Sequence, residues 1–240
     1  MKIKHIDYKQ SQGWLQRAQQ DALLGLIASC FKGIDAQHYF EKYFVVDDCF
    51  DRCLRLYVDQ EQVIGYCLLV FSRQNSDVVI RASAGFYPQY RKGGNTFAFS
   101  FSKVLAYWLR HPWYTVFYAD TMLSPAMYRA VAKRSAIVWP KPNSTLIEKQ
   151  LFERFNADGD VSSLNNLRCL TNTGRTTNYS EQDIAQFKRS EKPEIKYFTQ
   201  LNPNFEQGIA LFVIIPFNLK QLILTLFKSF KSKLFSLAAN

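Results

Sequence analysis

The sequence has few of the residues that stabilise small secreted or metal-binding proteins. Among its 240 residues are five cysteines and three histidines. An odd number of cysteines, set inside apolar runs, excludes a framework in which every thiol forms a disulfide. Cys49 and Cys53 stand four apart, and no second Cys or His pair completes a zinc set. We therefore expect buried, reduced thiols and no metal site.

Long apolar runs are also missing. The longest, Ile209 to Phe217, has the length of a strand, and none reaches the ~20 residues that cross a bilayer. The first residues, "MKIKHIDYKQSQGW", lack the apolar core of a signal peptide. These observations predict a cytoplasmic protein, and they leave peripheral contact with a membrane as an open alternative.

Acidic residues are scarce. The chain has 20 Asp and Glu against 30 Lys and Arg, which gives a formal net charge of +10. From Arg81 to Lys141 there are nine cations and a single acid, Asp120. Such an excess favours an anionic partner, namely a phosphorylated cofactor, nucleic acid or a membrane surface. A basic surface with no dedicated partner explains the charge equally well.

What the sequence does contain is apolar and aromatic material for a core. Hydrophobic residues make up 48% and aromatic residues 15% of the chain, which argues against disorder. The periodicity of the first part predicts the element order α-α-β-β-β-α-β-α. In the last of these helices, Ser124 is the expected N-cap and Pro125 the first helical residue.

After Pro140 the sequence becomes more polar and less regular. We expect one domain over residues 1–240, with an irregular segment at 141–193 and a closing strand–helix segment at 194–240. Short helices are predicted at 146–155 and 180–190. Two strands are predicted, "EIKYFTQLNP" and "GIALFVIIPF", and an amphipathic helix follows them.

The stretch "YPQYRKGGNT" carries the clearest chemical signal. It stands between a predicted strand ending at Phe86 and a predicted helix starting at Thr96. A helix N-terminus offers N–H groups and the positive end of the helix dipole to an anion. Gly93 and Gly94 have no Cβ and let a pyrophosphate approach the backbone, and Arg91 and Lys92 add positive charge. A strand–turn–helix with a solvated basic turn is the simpler alternative.

These residues resemble the acyl-CoA-binding signature of the GCN5-related N-acetyltransferases, Arg/Gln-x-x-Gly-x-Gly/Ala after a central strand. The residues that match are Pro88, Tyr90, Arg91 and Gly94. Thr96 stands where Gly or Ala is usual, and the resemblance covers roughly Leu54 to Lys133. It implies an α/β (α+β) fold with a mixed central sheet flanked by helices, and a C-terminal amphipathic helix completes the expected architecture. The implied activity is transfer of an acyl group from acetyl-CoA, or another acyl-CoA, to an amine by direct attack in a ternary complex.

The same resemblance assigns candidate site residues. Those expected to bind the cofactor are Phe86, Arg91, Lys92, Gly93, Gly94, Asn95 and Thr96. Tyr128 would protonate the departing thiolate, since a phenol with a pKa of about 10 arrives protonated. Asp120 or a water molecule, which Ser83 could hold, would accept the proton of the amine. Packing for Tyr128, and helix capping or pairing with arginine for Asp120, are the structural alternatives.

Other functions stay open at this point. The predicted strand "VVIRASAGF" has no carboxylate, which favours a non-catalytic or membrane-associated relative that binds acyl-CoA or acidic lipid. The basic charge also fits a toxin-like acetyltransferase that acts on aminoacyl-tRNA. In the predicted C-terminal helix an apolar stripe starts at Leu219, and lysines fall on another face. This stripe would dock on the protein, form a homodimer contact, or bind an anionic membrane through residues 219–235.

Overall fold

The structure is a computed structural model that describes residues 3–93, 96–143 and 145–238, with the backbone alone for 92–93 and 231–238. Two compact units are present. The first comprises Met1–Tyr114 with Gly174–Asn178, and the second comprises Thr115–Thr173 with Tyr179–Asn240. Helices and strands alternate along the chain, which confirms the predicted α/β class.

The strands and helices have the following bounds within the described residues. The strands are β1 (Lys4–Lys9), β2 (Phe31–Lys32), β3 (Asp51–Asp59), β4 (Gln62–Gln74), β5 (Asp77–Phe86), β6 (Thr115–Met122), β7 (Leu170–Asn172), β8 (Thr176–Thr177) and β9 (Ile209–Phe217). The α-helices are α1 (Arg17–Cys30), α2 (Ala36–Phe40), α3 (Thr96–Arg110), α4 (Pro125–Ala132), α5 (Leu146–Phe155), α6 (Glu181–Lys188), α7 (Pro193–Leu201) and α8 (Leu219–Ala238).

The first unit contains an antiparallel sheet in the order β1-β3-β4-β5. The predicted three-strand meander is confirmed as β3, β4 and β5. Gln60 and Glu61 join β3 to β4 with φ values of 45° and 70°, as a two-residue hairpin loop requires. The edge strand β1 was not predicted, because its sequence "KHIDYK" is short and mostly polar.

Two helices of the first unit follow from local sequence. In α1 the residues Leu23, Leu26, Ile27 and Cys30 are buried. Their spacing of three and four produces the single apolar face that was predicted. Asp35 caps α2, because its carboxylate accepts hydrogen bonds from the backbone N–H groups of Gln37 and His38. Both predicted helices are confirmed.

The second unit contains an antiparallel sheet in the order β6-β9-β7. Strand β9 is almost entirely buried, as its unbroken apolar sequence predicts. Helix α4 begins as expected, with Pro125 in its first turn and the Ser124 hydroxyl accepting a hydrogen bond from the Met127 N–H. The predicted helices at 146–155 and 180–190 are confirmed as α5 and α6.

One predicted element of the second unit is wrong. The stretch 194–203 was predicted to be a strand, but Pro193–Leu201 forms helix α7. Its buried residues, Ile195, Phe198 and Leu201, recur every three positions, and proline opens the first turn. A strand was predicted because this stretch combines apolar with β-branched residues, which are frequent in strands. The closing segment is therefore helix–strand–helix.

The last element of the described residues is the predicted C-terminal helix, α8, which has 20 residues. Among residues 3–93, 96–143 and 145–238, no helix combines the length and apolarity needed to cross a bilayer.

Candidate functional site

The predicted turn has the expected strand–turn–helix geometry. Strand β5 ends at Phe86, a 3-10 helix spans Pro88–Gly93, and α3 starts at Thr96. Lys92 and Gly93 are described only by their backbone. Gly94 and Asn95, both expected to bind the cofactor, lie outside the described residues. The helix N-terminus and the strand end are thus ten residues apart in sequence, with the basic glycine-rich turn between them.

The backbone of Phe86 points away from β4. Phe86 lies opposite Gly65, while the next pair is hydrogen-bonded through the Tyr87 N–H and the Ile64 carbonyl at 3.1 Å. Because hydrogen-bonded and non-hydrogen-bonded pairs alternate in an antiparallel ladder, the N–H and C=O of Phe86 face the other side of β5. Phe86 is one of the residues predicted from sequence to bind the cofactor.

Arg91 organises the turn through backbone carbonyls. Its Nε donates to the Phe86 carbonyl at 3.3 Å, and its Nη1 donates to the Asn178 carbonyl at 2.7 Å. Arg91 was predicted to add positive charge near a pyrophosphate. No pattern in the sequence indicates its hydrogen bonds to the carbonyls of Phe86 and Asn178. Asn178 is 87 positions away and belongs to a segment that only the tertiary structure brings to this place.

The segment Gly174–Asn178 is held firmly in the first unit. The Asn178 N–H donates to the Cys30 carbonyl at 2.9 Å, and its side-chain amide donates to the Ser29 carbonyl at 3.2 Å. A Cβ on Gly33 would come within 2.8 Å of the Gly174 carbonyl oxygen. Glycine is therefore required at position 33 for this close approach, which also matches its φ of 76°.

Cys30 is a second contact of the Phe86 carbonyl that the sequence did not indicate. Its Sγ lies 3.2 Å from that oxygen and donates to it. Burial raises the pKa of the Cys30 thiol to about 11, although the positive charge of Arg91 opposes the rise. Cys30 is consequently a thiol at neutral pH and acts as a hydrogen-bond donor, not as a nucleophile.

Residues of β3 and β4 hold the ring of Phe86 in place. It crosses the bare face of Gly65 and packs on Tyr57 at 4.8 Å between ring centroids. A Cβ on Gly65 would lie 2.2 Å from the Phe86 Cδ1. Glycine in the middle strand is thus what allows two aromatic rings on flanking strands to meet.

Ser83 on β5 belongs to a buried cluster of three hydroxyl groups. The Ser83 Oγ is hydrogen-bonded to the Tyr39 hydroxyl at 2.6 Å and to the Tyr66 hydroxyl at 2.9 Å. Burial raises the pKa of both tyrosines, so their hydroxyls stay protonated. Ser83 was proposed as a residue that could hold a water; in the structure its Oγ bonds the hydroxyls of two tyrosines. The sequence carried no sign of them, because they come from α2 and β4.

In the second unit, Asp120 is a buried residue of β6 with strand-local partners. Its Oδ1 accepts from the Thr121 N–H at 2.8 Å, and its Oδ2 accepts from the Tyr118 hydroxyl at 3.3 Å. Both contacts come from neighbouring residues of the same strand.

Tyr128 is buried in α4 of the same unit. Its ring lies 5.8 Å from that of Phe198 and 6.4 Å from that of Tyr197, both on α7. Burial raises the pKa of the Tyr128 phenol, with smaller contributions from Tyr197 and Glu194. The phenol is protonated at neutral pH, as a proton donor must be, and the same packing also satisfies the structural alternative.

Acids outside the basic stretch 81–141 partly neutralise it. Among the described residues, ion pairs join Lys103 to Asp7 at 3.6 Å, Arg129 to Glu194 at 3.5 Å, and Lys141 to Glu148 at 3.0 Å. The local charge excess therefore overstates the field that an anionic ligand would meet.

A cavity of about 640 Å³ lies in the first unit between α1 and the strands β1 and β3. Its walls are mixed in chemistry, with Leu56 and Val58 on one side and Asp21, Lys4 and Glu61 at other positions. Phe86, Arg91 and Thr96 are not among the residues that line it. Tyr87 does line it, and this residue stands between the end of β5 and the 3-10 helix Pro88–Gly93.

No family model matches the sequence, and no curated protein is significantly similar to it. Solved structures do match. Escherichia coli ElaA has a TM-score of 0.36 and 14% identity over 50% of this chain and 79% of that one. An acyl-CoA N-acyltransferase from Pseudomonas aeruginosa has a TM-score of 0.35 and 15% identity over 49% and 79%. The NatC complex bound to Gag peptide and CoA has a TM-score of 0.39 and 10% identity over 91% and 100%.

Further matches include proteins described as acetyltransferases. The likeness is thus to acetyltransferases and N-acyltransferases, the class of protein that the sequence resembles. At identities of 10–15% and TM-scores below 0.4, it carries no conclusion about activity or substrate.

Proposed function

We propose that the chain is an N-acyltransferase that takes an acyl group from acyl-CoA, in the simplest case acetyl-CoA, and transfers it to an amine. The observation that carries this proposal is the arrangement of β5, the "RKGGNT" turn and the N-terminus of α3. A helix N-terminus preceded by a basic glycine-rich turn is suited to a pyrophosphate. The thioester of acyl-CoA supplies the electrophilic carbonyl.

The residues present at the strand end fit such a ligand. The N–H of Phe86 faces away from β4, and we propose that it donates to the acyl oxygen. Arg91 and Cys30 hold the carbonyl of the same residue, so the position of this N–H is fixed before any ligand binds. The role of Arg91 is then to position the turn, and Lys92 with the turn N–H groups would meet the phosphates.

Tyr128 and Asp120 are the residues that we propose for proton transfer. Tyr128 would give its phenolic proton to the thiolate as the carbon–sulfur bond breaks. Asp120, or a water molecule, would take the proton that the attacking amine loses as the new carbon–nitrogen bond forms.

Calorimetric titration with acetyl-CoA tests the turn. The wild-type protein should bind, and Gly94→Glu should abolish binding by placing a side chain and a negative charge where the pyrophosphate would lie. Gln60→Glu, in the exposed hairpin loop between β3 and β4, adds the same charge elsewhere in the first unit and should bind normally. Absence of binding by the wild type, or normal binding by Gly94→Glu, would defeat the proposal for the turn.

Release of free thiol in the presence of a panel of amines tests the chemistry. Tyr128→Phe should lower kcat by about a hundredfold or more and leave the Kd for acetyl-CoA unchanged. Binding without turnover by the wild type would instead make the protein an acyl-CoA binder, the alternative favoured by the lack of a carboxylate between Val78 and Phe86.

A further inference from the structure

Helix α8 is attached to the second unit by polar side chains. Gln221 makes a paired contact with the backbone of Ile137, accepting from its N–H at 2.8 Å and donating to its carbonyl at 3.0 Å. The Thr225 hydroxyl accepts from the Ala136 N–H at 3.1 Å. Both side chains are buried. The residues that hold this helix are therefore hydrogen-bonding residues.

The next turn of the helix continues the same face. The Lys228 ammonium donates to the carbonyls of Ala132 and Ser135, each at 2.8 Å, at the C-terminal end of α4. A lysine at this position neutralises the negative end of the α4 dipole. Positions 221, 225 and 228 are spaced by four and three, so they form one polar face that points inward.

The opposite face is apolar and exposed. The exposed fractions are 59% for Leu219, 43% for Ile223, 49% for Leu226, 67% for Phe227 and 64% for Phe230. These five residues of the predicted stripe are exposed, and Leu222 is half-buried. The buried hydrogen-bonding residues lie on the other side, which reverses the usual orientation of an amphipathic helix. A contiguous apolar face of this kind on a protein surface marks an interaction site.

The charges around this face select the kind of partner. Residues 219–240 contain no acid and four lysines, of which Lys228 lies on the inward face. Lys133 and Arg134, directly after α4, are exposed beside the carbonyls that Lys228 contacts. A second copy of the chain would bring the same positive charge to the contact and be repelled. An anionic surface with an apolar interior complements both the lysines and the phenylalanines.

We propose that the outward face of α8 binds the surface of an anionic lipid bilayer. Leu219, Ile223, Leu226, Phe227 and Phe230 would enter the acyl boundary, while neighbouring lysines contact the headgroups. The inward polar face stays bonded to Ile137 and Ala136, so the helix lies in the plane of the interface. This assignment is independent of the turn chemistry, because it involves only residues of the second unit.

Flotation of the full chain with vesicles tests the proposal. The protein should float with phosphatidylcholine vesicles that contain one third phosphatidylglycerol, and salt should weaken this binding. It should not float with phosphatidylcholine alone. Phe227→Ser combined with Phe230→Ser should reduce binding at least about tenfold, because both rings lose their apolar burial. Lys220→Glu should also reduce it, without removing any apolar surface.

A matched control removes exposed apolar residues elsewhere in the second unit. Leu146 and Ile147 on α5 are 71% and 67% exposed, and Leu146→Gln with Ile147→Gln should float like the wild type. Failure of the wild type to float, or equal flotation of the phenylalanine variant, would overturn the proposal. So would a dimer in light scattering that the phenylalanine substitutions dissociate, since the face would then be a contact between copies. The circular dichroism of each variant should match that of the wild type.

Discussion

Gly65→Ala should destabilise the first unit, although it adds a single methyl group. A Cβ at position 65 would lie 2.2 Å from the Phe86 Cδ1 and 2.8 Å from its Cγ, which is much closer than van der Waals contact allows. The ring cannot stay over the strand, and its 4.8 Å packing on Tyr57 is lost or distorted. Overpacking costs about 1–3 kcal/mol, and loss of an aromatic pair costs ~0.5–1.5 kcal/mol. The smaller conformational entropy of alanine in the unfolded chain offsets ~0.4–1 kcal/mol.

The same substitution in α1 provides the control. A Cβ on Gly25 meets nothing within 4 Å, and the residue lies inside a helix. Gly25→Ala should therefore stabilise the protein by about 0.5–1 kcal/mol, through helix propensity. The two variants should differ by about 1–5 kcal/mol in the free energy of unfolding.

Urea unfolding followed by circular dichroism measures both variants, and thermal melts should show Gly65→Ala about 3–10 °C below the wild type. If the turn binds acetyl-CoA, Gly65→Ala should also weaken that binding, because Phe86 moves. A Gly65→Ala variant as stable as Gly25→Ala would refute the assignment of the Tyr57–Phe86 contact across the bare strand.

Two further substitutions test other contacts of the first unit. Ser83→Ala leaves two buried tyrosine hydroxyls without their shared partner and should cost about 2–4 kcal/mol in urea unfolding; a loss below ~0.5 kcal/mol would contradict the cluster. Burial by itself raises the pKa of the Asp7 carboxyl, yet hydrogen bonds from Arg55 at 2.6 and 2.9 Å lower it overall. The pair therefore stabilises the fold above the ordinary pKa of 3.8, and this contribution is lost as the pH falls through the lowered value. Asp7→Asn should be less stable than the wild type at pH 7 by under ~1 kcal/mol, since the pair is partly exposed; a difference that does not shrink below pH 3.8 would contradict it.

Most of the elements could be predicted because their signals are local. Each signal depends on residues that are close together in sequence. Examples are the spacing of Leu23, Leu26 and Ile27, the helix cap at Ser124, and the alternating pattern of β3. Helix α7 was missed because a short apolar pattern with β-branched residues suits a strand as well as a buried helix. The short edge strand β1 lacked a pattern of its own.

The sequence by itself determined the strand and the helix on either side of "RKGGNT", the burial of four of the five free cysteines, and the amphipathic nature of the last helix. Only the tertiary structure decided what these features contact. Arg91 meets Asn178 and Cys30 meets the Phe86 carbonyl because the chain brings distant backbone groups together, and no local spacing encodes that. In α8 the periodicity defines two faces, but which face points inward depends on whether a neighbour offers apolar surface or open backbone groups. Here Ile137 offers its backbone N–H and C=O, so the polar face is bonded and the apolar face is left outside.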